Sequence, residues 1–134
     1  MPPTPKVVLE IDDNSPDDAP AFTSEPSMWS FANDLNHSTR TAAETFREMH
    51  RLIGGSVFRG YPERASQATI ELFERFAELN EVTWFSAQEL SNGRPWLPKG
   101  ETPVERSMRM LFETVDIAAR YFGPDRVRLV FAFI

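Results

Sequence analysis

Arg126-Val-Arg-Leu-Val-Phe-Ala-Phe-Ile134, the last stretch of the sequence, decides which folds the chain can adopt. Every residue from Leu129 onward is apolar, so a strand here must be buried on both faces. It must also have a hydrogen-bonded neighbour, because an unpaired strand edge invites pairing with another chain. There are two candidates for this neighbour: residues 7–11 of the same chain, or a strand of another chain.

Residues 7–11, Val-Val-Leu-Glu-Ile, are themselves predicted to form a short strand. They are apolar at four of five positions and lie between prolines and an Asp-Asp-Asn-Ser-Pro turn signal. Pairing of this strand with the C-terminal one would give a small terminal sheet.

Charge divides the sequence into two parts. Residues 1–26 contain six acidic residues and one lysine, and so carry five of the chain's six net negative charges. We therefore expect an acidic, proline-rich arm over residues 1–26, with its strand at 7–11. A single helical domain over residues 27–134, with a C-terminal strand at 127–134, is expected to follow. Residues 12–26 are predicted to be an extended linker, free to contact other molecules.

Three segments have the apolar spacing of amphipathic helices. The first runs from Met28 to Ile53, with a break near residues 36–40 as an alternative, because Thr41-Ala-Ala-Glu44 is a capping-box pattern. The second begins at Pro62 and reaches about Leu79. The third begins after Thr102 and ends at Gly123.

The expected fold is therefore mainly α within the α+β class: a three-helix body with a small terminal β element formed by the N- and C-terminal strands. Residues 81–86 could add a strand, and residues 92–100 read as a stiff loop with turn signals at both ends.

The composition of the chain excludes several classes of functional site. The chain has no cysteine, which excludes disulfides, thiolate metal sites and thiol catalysis. No export signal and no run of about eighteen apolar residues can be found, so we expect a cytoplasmic protein that does not engage a membrane.

The sequence gives little support for a metal or a cofactor, and none is expected. His37 and His50 are spaced so that they cannot share a metal ion on one helix, and both are interpreted as surface residues. Five carboxylates could meet for acid-base chemistry, although a solvated helical face explains them as well. They are Glu71, Glu74 and Glu78 on the second helix and Glu113 and Asp116 on the third.

A nucleic-acid function is an alternative. Twelve of the fourteen basic residues are arginine, and Arg40, Arg47 and Arg51 form a row on the first helix. Glu44 and Glu48 interrupt this row, and the acidic chain disfavours binding of a polyanion. The acidic arm could instead mimic a nucleic acid.

Three features are typical of binding surfaces: the N-terminal strand, the apolar C-terminal strand and the loop Arg94-Pro-Trp-Leu-Pro98. The candidate partner-binding residues on them are Val7, Val8, Leu9, Ile11, Arg94, Trp96, Leu97, Phe131 and Phe133.

The sequence therefore favours a non-enzymatic protein-protein interaction module, such as an assembly factor, an adaptor, an inhibitor or a subunit of a larger particle. Its partner would be another protein or copies of itself. A nucleic-acid-related regulator is the second hypothesis, and a small carboxylate-dependent enzyme is the third.

Overall fold

A computed structural model describes residues 5–30, 39–54, 58–75, 82–92 and 103–133. These residues form four strands and four helices. The strands are β1 (Pro5–Ile11), β2 (Ser27–Ser30), β3 (Thr83–Ser86) and β4 (Val127–Phe133), and the helices are α1 (Thr39–Gly54), α2 (Gln67–Glu74), α3 (Ala87–Ser91) and α4 (Pro103–Phe122). None of these described helices is long and apolar enough to cross a lipid bilayer.

The strands make one antiparallel sheet in the order β2-β1-β4-β3. β1 pairs with β4 along its whole length, from Pro5 opposite Phe133 to Ile11 opposite Val127, which confirms the predicted pairing of the terminal strands. The prediction of a three-helix body with a small terminal β element is wrong. The terminal strands are the central pair of a four-stranded sheet, because β2 and β3 extend it on either side.

Strand β2 replaces the start of the predicted first helix. Residues 27–30 pair with β1, with Met28 opposite Glu10 and Trp29 opposite Leu9. The helical spacing from Met28 was misleading because β1, buried on both faces, needs a neighbour on its other edge as well. Residues 31–38 lie outside the described ranges, and α1 begins at Thr39, close to the predicted capping box.

One face of the sheet carries the main core, under α1 and α4. Leu9, Leu129 and Phe131 point to this side, where the rings of Phe46 and Phe131 lie 5.0 Å apart between centroids. Helix α4 ends as predicted, since the Gly123 N–H donates to the Ala119 carbonyl at 2.8 Å with Gly123 at φ 105°.

The opposite face is covered by α2, whose Phe73 packs against Val8 and Val130. This helix begins at Gln67 and not at Pro62 as predicted, because the Ser66 side chain caps it by accepting from the Ala68 N–H at 3.2 Å. The predicted strand within residues 81–86 is confirmed as β3. Helix α3 follows it directly through a capping box between Ser86 and Glu89.

Candidate functional site

A buried ion pair lies on the α2 side of the central strands. Glu10 of β1 and Arg128 of β4 are directly opposite in register, and their side chains are 0% and 4% exposed. Nε and Nη2 of Arg128 lie 2.8 and 2.7 Å from Oε1 of Glu10. Oε2 of Glu10 accepts from the Ser66 N–H at 2.8 Å and from the Thr69 hydroxyl at 2.6 Å. The carboxylate is therefore fully bonded and fixes the arginine in one position.

The guanidinium of Arg128 is only partly satisfied by the protein. Its Nη2 also donates to the Arg64 carbonyl at 3.2 Å, and its central carbon lies 3.7 Å from the centroid of the Phe22 ring. No group among the described residues accepts a hydrogen bond from Nη1. Burial lowers the pKa of Arg128 and the Glu10 carboxylate opposes this, but an arginine stays charged at neutral pH.

Arg128 lines a cavity of about 540 Å³ that opens to solvent between the sheet and the segment after β1. Phe22, Arg64, Trp84 and Arg128 supply its aromatic and cationic walls, and we call it the arginine–aromatic pocket. Glu63 lies at the same wall as a balancing negative charge. The pocket therefore combines guanidinium donors with aromatic ring faces.

The segment after β1 is held in place by Asp12 and Arg126. Asp12 accepts from the Ser15 N–H at 3.0 Å and from the Phe22 N–H at 2.6 Å, and Nη1 of Arg126 lies 3.2 Å from its Oδ2. Arg126 also donates to the carbonyls of Pro16 and Ala19 at 2.9 and 2.8 Å. These contacts hold part of the predicted linker against the sheet and bring Phe22 over Arg128.

Asp12 is ionised in this arrangement. Burial raises the pKa of its carboxyl group, but hydrogen bonds from Phe22 and Ser15 and the charge of Arg126 outweigh burial. The pKa therefore lies below its ordinary value of 3.8.

Two residues that line the pocket have an unfavourable backbone conformation. Phe22 and Arg64 have φ of 58° and 56°, and they are the only non-glycine residues with positive φ in the described ranges. Such a conformation costs a non-glycine residue about 1–3 kcal/mol and is found most often at functional sites. That both residues line one cavity distinguishes this cavity from the rest of the surface.

We expect Arg64→Gly to have a free energy of unfolding about 0.5–1 kcal/mol higher than that of Arg64→Ala, because glycine adopts positive φ without steric strain. Urea denaturation followed by circular dichroism measures the change. Arg64→Ala is the matched control, since it also removes the 2.8 Å hydrogen bond to the Thr23 carbonyl but keeps a Cβ in the strained conformation. A glycine variant no more stable than the alanine variant would contradict a strained site.

Trp84 lies near two guanidinium groups. Arg59 lies 5.2 Å and Arg128 lies 5.9 Å from its ring. Arg59 is in turn fixed by a bidentate contact with Glu89, at 2.8 and 2.6 Å. The indole wall of the pocket is thus preorganised.

No protein-family model, no curated protein and no solved structure matches this chain. The function must therefore be argued from its own residues.

None of the sequence-predicted binding residues with a described side chain lines the arginine–aromatic pocket. The predicted residues of the terminal strands with described side chains are all buried in the chain's own core: Val7, Val8, Leu9, Ile11 and Phe131. Phe133 is the last residue of β4, opposite Pro5. Arg94, Trp96 and Leu97 lie outside the described residues.

The four described carboxylates of the enzyme hypothesis do not converge. Glu71 and Glu74 are exposed on α2, whereas Glu113 and Asp116 belong to α4 on the other face of the sheet, and Glu78 lies outside the described residues. No group of three or more histidine, aspartate or glutamate residues in the described ranges is placed to hold a metal ion.

His50 corrects another expectation. It is 5% exposed and stacks on Phe58 at 4.2 Å, so it is a core residue and not a surface residue. Its partner in the prediction, His37, lies outside the described residues. In the predicted arginine row, Arg51 pairs with Glu48 within α1, as its spacing suggested.

Proposed function

We propose that this chain is a non-enzymatic protein-binding module that takes an acidic side chain of its partner into the arginine–aromatic pocket. One observation carries the proposal: the guanidinium of Arg128, 4% exposed and held by Glu10, lines a cavity of about 540 Å³ and has no acceptor for its Nη1 among the described residues. A carboxylate oxygen that reaches Nη1 of Arg128 would accept a charge-assisted hydrogen bond from it, so it would be bound favourably.

The charges around the pocket favour a carboxylate over a phosphate. Arg128 and Arg64 are balanced by Glu10 and Glu63, so the pocket has no excess positive charge that would draw in a dianion. The net charge of the chain, -6, also repels a polyanion such as nucleic acid. A singly charged side chain presented by a protein fits this balance better.

The aromatic side chains of the pocket provide contacts for a second residue of a peptide ligand. The indole of Trp84 and the ring of Phe22 offer faces to an apolar or aromatic neighbour of the acidic residue. Tryptophan and arginine are also the residue types that dominate binding energy at protein interfaces. The absence of cysteine is in keeping with a role in the reducing cytoplasm.

The test is a titration of ¹⁵N-labelled protein with N-acetyl-Phe-Glu-amide, monitored by NMR. We expect the amide signals of Phe22 and Arg64 and the indole N–H of Trp84 to shift together with a dissociation constant in the millimolar range. N-acetyl-Phe-Gln-amide, which lacks only the negative charge, should bind roughly tenfold more weakly, as expected for loss of charge-assisted hydrogen bonds.

Two variants of the protein test whether the dipeptide binds in the pocket. Arg64→Ala should weaken binding of the glutamate dipeptide, whereas Arg75→Ala, which removes an exposed arginine just after α2, should leave it unchanged. Equal binding of the two dipeptides would overturn the proposal. Tighter binding of a thymidine tetranucleotide at the same signals would favour the nucleic-acid hypothesis instead.

A further inference from the structure

Helix α4 exposes an apolar stripe on the side that faces away from the sheet. Met110, Ile117 and Tyr121 are 53%, 49% and 79% exposed, although α4 buries Leu111, Phe112 and Val115 on its other side. Spacings of seven and four residues place the three exposed side chains on one face of a helix. The helix is therefore apolar on two sides, of which only one contacts the sheet.

Two opposite charges flank this stripe. Glu113 and Arg120 are seven positions apart, which places them on the same side of α4, about 10 Å apart along the axis. Neither makes an ion pair with any residue in the described part of the chain. With Asp116 and Ile117 they surround a depression of about 300 Å³ on the helix surface.

We propose that this face of α4 binds α4 of a second copy of the chain, in antiparallel orientation. A twofold axis crossing the helix near Asp116 places Met110 opposite Tyr121 of the second copy and Glu113 opposite Arg120 of the second copy. The same operation generates the reciprocal contacts, so two ion pairs flank one apolar seam.

The charge pattern identifies the occupant as another copy. In an antiparallel helix pair the same flanks of the two helices meet, so a negative and a positive residue seven positions apart are complementary to their own inverted image. The depression beside Ile117 receives a side chain of the other helix. The seam is short, so the dimer is expected to be weak, with a dissociation constant on the order of micromolar.

Sedimentation equilibrium over a range of protein concentrations tests this interface. Glu113→Arg and Arg120→Glu should each weaken the dimer about tenfold or more, because each places like charges opposite one another. An equimolar mixture of the two variants should associate nearly as well as the wild-type protein, because the mixed dimer restores two ion pairs, one with the original polarity and one with reversed polarity. Ile117→Asp should abolish association.

Glu71→Arg is the matched control, since it makes the same charge change on α2, on the other face of the sheet. A wild-type protein that stays monomeric at several hundred micromolar would overturn the proposal. So would single reversals that associate normally, or a mixture that fails to recover. The result is independent of the proposed function, because the arginine–aromatic pocket lies on the α2 side and its dipeptide titration does not involve α4.

Discussion

Replacement of Glu10 by alanine is expected to destabilise the protein by about 3–5 kcal/mol, the usual effect of breaking a buried ion pair by removing one partner. The variant would leave the 4% exposed guanidinium of Arg128 without its counterion. It would also remove the acceptor of the Ser66 N–H and the Thr69 hydroxyl, which hold α2 to β1. Urea denaturation followed by circular dichroism gives the change in free energy.

A double variant separates the charge from the packing. Glu10→Leu together with Arg128→Met replaces the pair by apolar side chains of similar size, and such replacements are often neutral to stability. We therefore expect the double variant to recover the part of the loss that comes from the unpaired charge, whereas the Ser66 N–H and the Thr69 hydroxyl still lack their acceptor. A Glu10→Ala protein within about 1 kcal/mol of the wild type would contradict the role assigned to the pair.

The second large effect is expected for Asp12→Ala, which should destabilise the protein by about 2–4 kcal/mol at pH 7 because buried N–H donors and Arg126 lose their acceptor. The Phe22 and Ser15 N–H groups both donate to this carboxylate. Since Phe22 would lose its position over Arg128, binding of the glutamate dipeptide should weaken as well. Asp17→Ala, an exposed change in the same segment, is the control.

The effect of Asp12→Ala should depend on pH in a defined direction. Because the pKa of Asp12 is lower in the folded protein than its ordinary value of 3.8, its contribution is fully present above that value and is lost as the pH falls through the lower one. The difference in unfolding free energy between wild type and Asp12→Ala should therefore shrink on acidification below about pH 4. A difference that stays constant between pH 7 and pH 3 would exclude an ionised, hydrogen-bonded Asp12.

The sequence predicted the two central strands of the sheet and the edge strand β3, but not the other edge strand, β2. The apolar run after Arg128 required a partner strand, either residues 7–11 or a strand of another chain, and the structure shows the pairing with residues 7–11. The four residues of β2 carry no such signal. Met28 fits a helical stripe as well as a strand, and the choice depends on the open edge of β1, which is a tertiary contact.

The sequence contains a signal for the buried ion pair of the candidate site. Glu10 stands within an apolar strand and Arg128 just before an apolar run, and a lone charge in a buried strand calls for a partner of opposite sign. The sequence contains no such signal for Phe22 and Arg64. Their positive φ and their meeting with Trp84 arise only after segments far apart in the chain have packed together.

The pairing of β1 with β4 also determines when the protein can fold. Ile11 pairs with Val127, a residue 116 positions later, so the central ladder closes a loop of almost the whole chain. The length-dependent part of this closure entropy is about 4 kcal/mol, and ladders between such distant segments form slowly. During synthesis on a ribosome, β1 cannot pair with β4 until residues Val127–Phe133 have left the ribosome. Until then its apolar face is open to chaperones and to other unfinished chains.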